Sequence, residues 1–125
     1  MKIIRIMGLF SSIFALFSCQ AQDKGFESLS VEAFRQAIAD TTVVRLDVRT
    51  AEEFAEGHIE KAINIDVLKS DFEQKATSTL PKNKVIAVNC RSGKRSKKAA
   101  GILVKNGYKV IELDSGYNGW VKEGN

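Results

Sequence analysis

The segment CRSGKRSKK (residues 90–98) sets one cysteine ahead of a glycine and five cationic side chains, Arg91, Lys94, Arg95, Lys97 and Lys98. A thiolate is a strong nucleophile, and nearby positive charge or a helix N-terminus favours it over the thiol. Cys90 follows the apolar run KVIAVN (84–89), which reads as a buried strand, and precedes a helix expected over roughly 94–106. The thiol would then stand at the carboxyl end of a central strand, where open α/β sheets bind their ligands. Gly93 lets the backbone turn tightly and approach a bound group. The amides of Arg91, Ser92, Gly93, Lys94, Arg95 and Ser96 would form an anion-binding nest, reinforced by the positive end of the helix.

Two plainer readings compete. A buried cysteine ending a strand is common, and it suits Lys97 and Lys98, which are expected to project into solvent. It does not account for a glycine and two arginines directly after the thiol. A metal site has little to draw on, because His58 is the one histidine and Cys19 the one other cysteine. Neither a metal nor an organic cofactor is expected.

The elements that must position Cys90 alternate between helix and strand. LSVEAFRQAIAD (29–40) reads as a helix with Ser30 as N-cap and Leu29 and Phe34 as a hydrophobic staple. TVVRLDV (42–48) is a β-branched strand; TAEEFAEG (50–57) is a short helix with a Thr50–Glu53 capping box and Gly57 as its stop. AINI (62–65) is a strand, SDFEQKATSTLP (70–81) a helix opening on a Ser70–Glu73 box, and KVIEL (109–113) a last strand after Gly107. Short parallel strands alternating with helices define a three-layer α/β fold, with a mainly parallel sheet covered on both faces.

The first 18 residues, MKIIRIMGLFSSIFALFS, carry Lys2 and Arg5 and then a short apolar run without a polar face. That is the pattern of a secretory signal peptide. LFSC (16–19) resembles a bacterial lipobox, in which the cysteine becomes acylated and N-terminal, so Cys19 is the expected lipidation site. Cleavage after Ala21 is the alternative. Lipidation of Cys19 would leave Cys90 as a lone thiol rather than half of a disulfide. The expected organisation is a signal peptide at 1–18, a polar tether at 19–27 and one domain at 28–125. The protein would face the periplasm and be lipid-anchored to the outer membrane, or be soluble there if Cys19 is not acylated. Without Lys2 and Arg5 the excess of basic over acidic residues falls to two, which does not suit a nucleic-acid binder.

Residues 28–121 resemble a single rhodanese domain. LDVRTAEEFAEGHIEKAINI (46–65) is similar to that family's first signature, CRSGKRS (90–96) to its active-site loop, and LDSGYNGW (113–120) to its closing segment. The resemblance implies a rhodanese-like fold and a sulfurtransferase in which Cys90 takes sulfane sulfur from a small anionic donor such as thiosulfate. The sulfur would pass as a persulfide to cyanide, a thiol or a partner protein. Residues 91–96 would hold the sulfur and the leaving group, and Arg91, with Arg95 or Lys94, the donor's charge. Asp47 and Arg49 would tie the first helix to the active-site loop, a catalytic role being the alternative; His58 would belong to a turn packed on the sheet, with general base as its alternative, and Trp120 would anchor the core. Glu60-Lys61 stand where the family commonly has Pro-Gly, and Ser115 replaces the first of two glycines. Both departures lie outside the catalytic loop.

Two other functions remain open. One is a cysteine-dependent phosphatase or arsenate-reducing relative, whose loops place five residues between cysteine and arginine; here RSGK places four between Cys90 and Arg95. The other is a non-catalytic rhodanese-like binding module, which often lacks the cysteine that this chain keeps.

Overall fold

A computed structural model describes residues 24–125. The leader, the lipobox and Cys19 lie outside the described residues. Five strands form one sheet in the order β1-β5-β4-β2-β3, and every neighbouring pair is parallel. The strands are β1 (Glu27–Leu29), β2 (Val44–Asp47), β3 (Ile63–Asn64), β4 (Val85–Asn89) and β5 (Lys109–Leu113). The helices are α1 (Val31–Ile38), α2 (Ala51–Glu56), α3 (Phe72–Thr79), α4 (Lys94–Lys105) and α5 (Gly116–Lys122).

The three-layer α/β architecture expected from the sequence is the one observed. Alternate strand residues point to opposite faces, and each face has its own core. On one side Leu46, Ile86, Val88 and Val110 meet Phe72 and Ala76 of α3 and Ala99, Ala100 and Leu103 of α4. On the other, Ala87 and Leu113 meet Val31, Phe34 and Ile38 of α1, with Tyr117 and Trp120 of α5 packed alongside. β4 lies at the centre of the sheet, which is why its sequence is almost uniformly apolar. The carboxyl end of β4, and with it Cys90, is thereby fixed between α4 and the start of α5.

Two local expectations need correction. The polar tether was expected to run to residue 27, yet Phe26 is buried in the core and Glu27 opens β1, which pairs with Ile111–Leu113 of β5. The fold therefore begins a little before residue 28. The Ser70–Glu73 capping box does not form: Asp71 is the N-cap of α3, and its side chain makes no capping bond. Residues 116–122, to which the sequence pattern assigns no element, form a helix. By contrast, Ser30 accepts from the Ala33 amide and Thr50 and Glu53 form both halves of their capping box, as read.

The departures at Glu60-Lys61 and Ser115 have different consequences. Lys61 has φ 66°, the left-handed conformation that L-residues adopt at a cost and glycine does not. Ser115 sits at φ −90°, ψ −2°, ordinary backbone for a serine, so that substitution introduces no strain. Lys61→Gly is expected to stabilise the protein by about 0.5–1 kcal/mol, relief of strain outweighing the added freedom of the unfolded chain. Urea unfolding checks this, and a loss of stability would mean that the Lys61 backbone is not strained.

Candidate active site

The loop at residues 90–96 is held from outside by the next helix. The amides of Tyr117 and Asn118 donate to the carbonyls of Cys90 and Arg91 at 2.8 and 3.0 Å. This approach is close enough to require two glycines. At Gly93 (φ 106°) a Cβ would lie 2.0 Å from the Asp114 carbonyl oxygen, and at Gly116 (φ 66°) one would lie 2.3 Å from the Arg91 carbonyl oxygen. With those carbonyls engaged by α5, the first-turn amides of α4 remain without an intrahelical partner, the usual condition for holding an anion.

Cys90 is 1% exposed. The Gly93 amide donates to its sulfur at 3.1 Å, and the Ser96 Oγ lies 3.4 Å away. Arg91, Ser92 and Lys94 are exposed at the rim, Gly93 and Ser96 are buried, and Arg95 is half-buried. Of the six loop residues, Gly93 and Ser96 touch the thiol directly.

It does not leave all their charges free. Arg95 makes a two-pronged ion pair with Glu53 of α2, at 2.8 and 2.9 Å, instead of pointing unopposed at the loop. Glu53 also lies 3.7 Å from the exposed guanidinium of Arg91. The Arg95 hydrogen bonds hold the Glu53 carboxyl down from its ordinary 4.5 to about 2, and Glu53 in turn raises Arg95. Lys97, expected in solvent, bonds Asp114 at 2.8 Å, Glu112 at 3.3 Å and the Gly93 carbonyl at 3.2 Å. Lys98 is exposed, as read.

The supporting residues lie beside the loop. Asp47 and Arg49 are buried and paired at 2.7 Å; Arg49 also donates to the Gly57 carbonyl at 2.7 Å and stacks over the Tyr117 ring at 4.4 Å. β2, the end of α2 and α5 are joined through that one guanidinium. The turn that holds His58 packs on the sheet as expected, but the imidazole is exposed and stacks on Phe54 of α2, with the ring centroids 3.6 Å apart. Ile59 fills the core position instead. Trp120 meets Phe34 edge to face at 6.3 Å. A cleft of about 260 Å³ lined by Arg49, Glu53, Glu56, Arg91, Tyr117 and Asn118 opens at the mouth of the loop. Among the described residues no group of three or more His, Cys, Asp or Glu side chains could hold a metal ion.

The sequence reading passed over Glu112 and Ser28. Glu112 is fully buried on β5 and accepts from Ser28 Oγ at 2.6 Å and Ser96 Oγ at 2.5 Å. A glutamate inside the otherwise apolar run VIEL was the available signal.

A strand-end thiol that accepts from a loop amide, on a parallel sheet covered on both faces, places the protein in a class of α/β folds that seat a cysteine where such sheets bind their ligands. The comparisons narrow that class: the Rhodanese-like domain model matches residues 30–123, and the chain belongs to this family. It is 34% identical over 95 residues to a sulfurtransferase of Allochromatium vinosum, an alignment covering 74% of this chain and 86% of that protein. It is 37% identical over 89 residues to the mitochondrial protein HIGH ARSENIC CONTENT 1 of Arabidopsis thaliana. There the alignment covers 63% of this chain, and the chain spans only about half, 53%, of the relative. A rhodanese-related protein of Thermoplasma volcanium superposes with a TM-score of 0.69 at 28% identity, covering 78% of this chain and 93% of its own.

The Glu53–Arg95 pair has a pH signature. A carboxyl depressed in the folded state stabilises it fully above its unfolded value near 4.5, and that stabilisation is lost as pH falls towards 2. Wild type is expected to lose stability across that window more steeply than Glu53→Gln, measured by urea unfolding at stepped pH. Parallel slopes would mean that the pair contributes nothing.

Proposed function

We propose that the protein is a sulfurtransferase that carries sulfane sulfur on Cys90. The Cys90 thiolate attacks the outer sulfur of thiosulfate or a related anionic donor. The donor's S–S bond breaks, sulfite leaves with the bonding pair, and Cys90 becomes a persulfide whose negative charge lies on the outer sulfur. A thiophile then attacks that outer sulfur and the Cys90 thiolate is released; cyanide would leave as thiocyanate and a thiol as its persulfide. The amides of residues 91–96 suit an outer sulfur that is anionic throughout.

The observation that carries this reading is the size of the loop around the buried thiol. Four residues separate Cys90 from Arg95, and the Gly93 amide already reaches the sulfur. A cup this short suits one sulfur atom better than a tetrahedral phosphoryl group. Arg91 at the exposed rim is the cation best placed to meet the donor, because Arg95 is paired with Glu53. The cleft beside Arg91 is where an acceptor would approach.

The export reading belongs to the same proposal. Residues 1–18 direct the chain out of the cytoplasm, and acylated Cys19 anchors it to the outer membrane with the domain in the periplasm. Gln20 supports the outer membrane, because an aspartate after the lipobox cysteine generally favours inner-membrane retention. Cys19→Ala is expected to move the protein from the membrane to the soluble fraction. Wild type that carries no lipid by mass would refute the anchor.

The catalytic reading is tested by mass spectrometry. Thiosulfate without an acceptor should add the mass of one sulfur atom to the peptide containing Cys90, and cyanide should remove it as thiocyanate. Cys90→Ser should abolish both steps while leaving the fold intact. Cys90-dependent release of phosphate from an aryl phosphate, with no persulfide from any sulfane donor, would replace the sulfurtransferase with the phosphatase reading.

A further inference from the structure

Beneath the thiol lies a buried carboxylate for which the transfer chemistry has no evident need. Glu112 is fully buried on the β5 face that meets α4. Three donors converge on it: Ser28 Oγ from β1 at 2.6 Å, Ser96 Oγ at 2.5 Å and Lys97 Nζ at 3.3 Å. A buried carboxylate is costly unless its oxygens are satisfied in this way. Ser96 is shared, because its oxygen is also 3.4 Å from the Cys90 sulfur.

A hydroxyl has one proton to donate. The short contact to Glu112 takes that proton, so towards Cys90 the Ser96 oxygen is an acceptor, and the thiol donates to it. The Gly93 amide, which donates to the sulfur from the loop side, suits a thiolate, whereas the Ser96 side suits a protonated Cys90. A thiolate would draw the Ser96 proton to itself, leave Glu112 short of a donor, and set two negative charges close together in the buried interior. A persulfide escapes that conflict. Its inner sulfur is neutral, and its charge has moved out to the loop amides.

The other charged groups around Cys90 divide in the same sense. On α4, Arg95 is matched by Glu53 of α2, and Lys97 by Glu112 and Asp114. On β2, Asp47 is matched by Arg49, and only the long 3.5 Å contact from Asn89 leads from that pair towards the thiol. Arg91 and Lys94 are exposed at the loop's outer rim. Arg91 shares Glu53 with Arg95, Lys94 makes no ion pair among the described residues, and the buried negative charge of Glu112 lies on the Ser96 side of the thiol.

We propose that Glu112, acting through Ser96, is a positioning residue that disfavours the Cys90 thiolate and so biases the site towards its sulfur-loaded form. The loaded protein then holds its sulfur until an acceptor arrives, because discharge must expel the thiolate that Glu112 opposes. The persulfide half of this inference rests on the sulfurtransferase reading; the thiolate half does not.

The test measures the rate of Cys90 alkylation by iodoacetamide against pH in the full chain. Glu112→Gln is expected to move the profile's midpoint down by about one pH unit, the usual scale for removing a nearby like charge. Cyanide discharge of the purified persulfide should also become several-fold faster, because a better thiolate leaving group departs sooner and only part of its pKa change appears in the rate. In a Ser96→Ala background the Glu112→Gln shift should shrink, because part of the coupling runs through the hydroxyl. If Glu112→Gln alone does not fold, the change is made on Lys97→Met, where replacing both charges leaves neither unpaired; the midpoint should again fall relative to Lys97→Met alone. A purely structural role would lower stability and leave the midpoint in place, and a rise would make Glu112 a proton acceptor; either result overturns the proposal. Iodoacetamide needs no sulfur donor. A downward shift in a protein that takes up no sulfur would therefore support the assignment of Glu112 and remove the sulfurtransferase reading instead.

Discussion

The seating of α5 against the active-site loop determines what the rest of the structure can do. The amides of Tyr117 and Asn118 hold the carbonyls of Cys90 and Arg91, and Gly93 and Gly116 make room for that contact. Because those carbonyls are engaged, the loop offers the thiol amides rather than carbonyl oxygens. Arg49 strengthens the same seating from below by bonding Asp47 and the Gly57 carbonyl and stacking over Tyr117. The cores on the two sheet faces fix β4, α4 and α5 relative to one another, and the loop is the point where the three meet.

Charge in the sequence and charge at the site differ. Five cations follow Cys90 within eight residues, which alone suggests an intensely positive cup. Glu53 engages Arg95, and Glu112 with Asp114 engages Lys97. Among the described residues Lys94 and Lys98 make no ion pair, and Arg91 lies 3.7 Å from the Glu53 carboxylate that Arg95 already engages. The Gly93 amide, a fixed dipole that needs no counter-ion, is the donor that reaches the sulfur itself.

Much of this was legible in the sequence for identifiable reasons. β4 and α4 were readable because their apolar and helical patterns are long, and Ser30 and Thr50 because a cap is a local device. Cys90 was readable because the strand-end position, Gly93 and the cations coincide. β1 was missed because three residues carry no periodicity and its pairing with β5 is distant in sequence. α5 was missed because Gly116 and Gly119 weaken its helical signal, and its packing against the loop and Phe34 overrides propensity. The pairing of Arg95 with Glu53 and the convergence of Ser28, Ser96 and Lys97 on Glu112 are contacts between distant segments. No local pattern reports them.

The central claim is that Cys90 accepts one sulfur atom and holds it in the loop. Sulfite release on mixing the protein with thiosulfate in the absence of any acceptor tests that claim most directly. The account predicts a single burst of one sulfite per chain, with no turnover afterwards and no burst from protein alkylated at Cys90 beforehand. Absence of a burst with thiosulfate and of the matching sulfinate burst with an organic thiosulfonate would contradict it, as would a burst that survives alkylation.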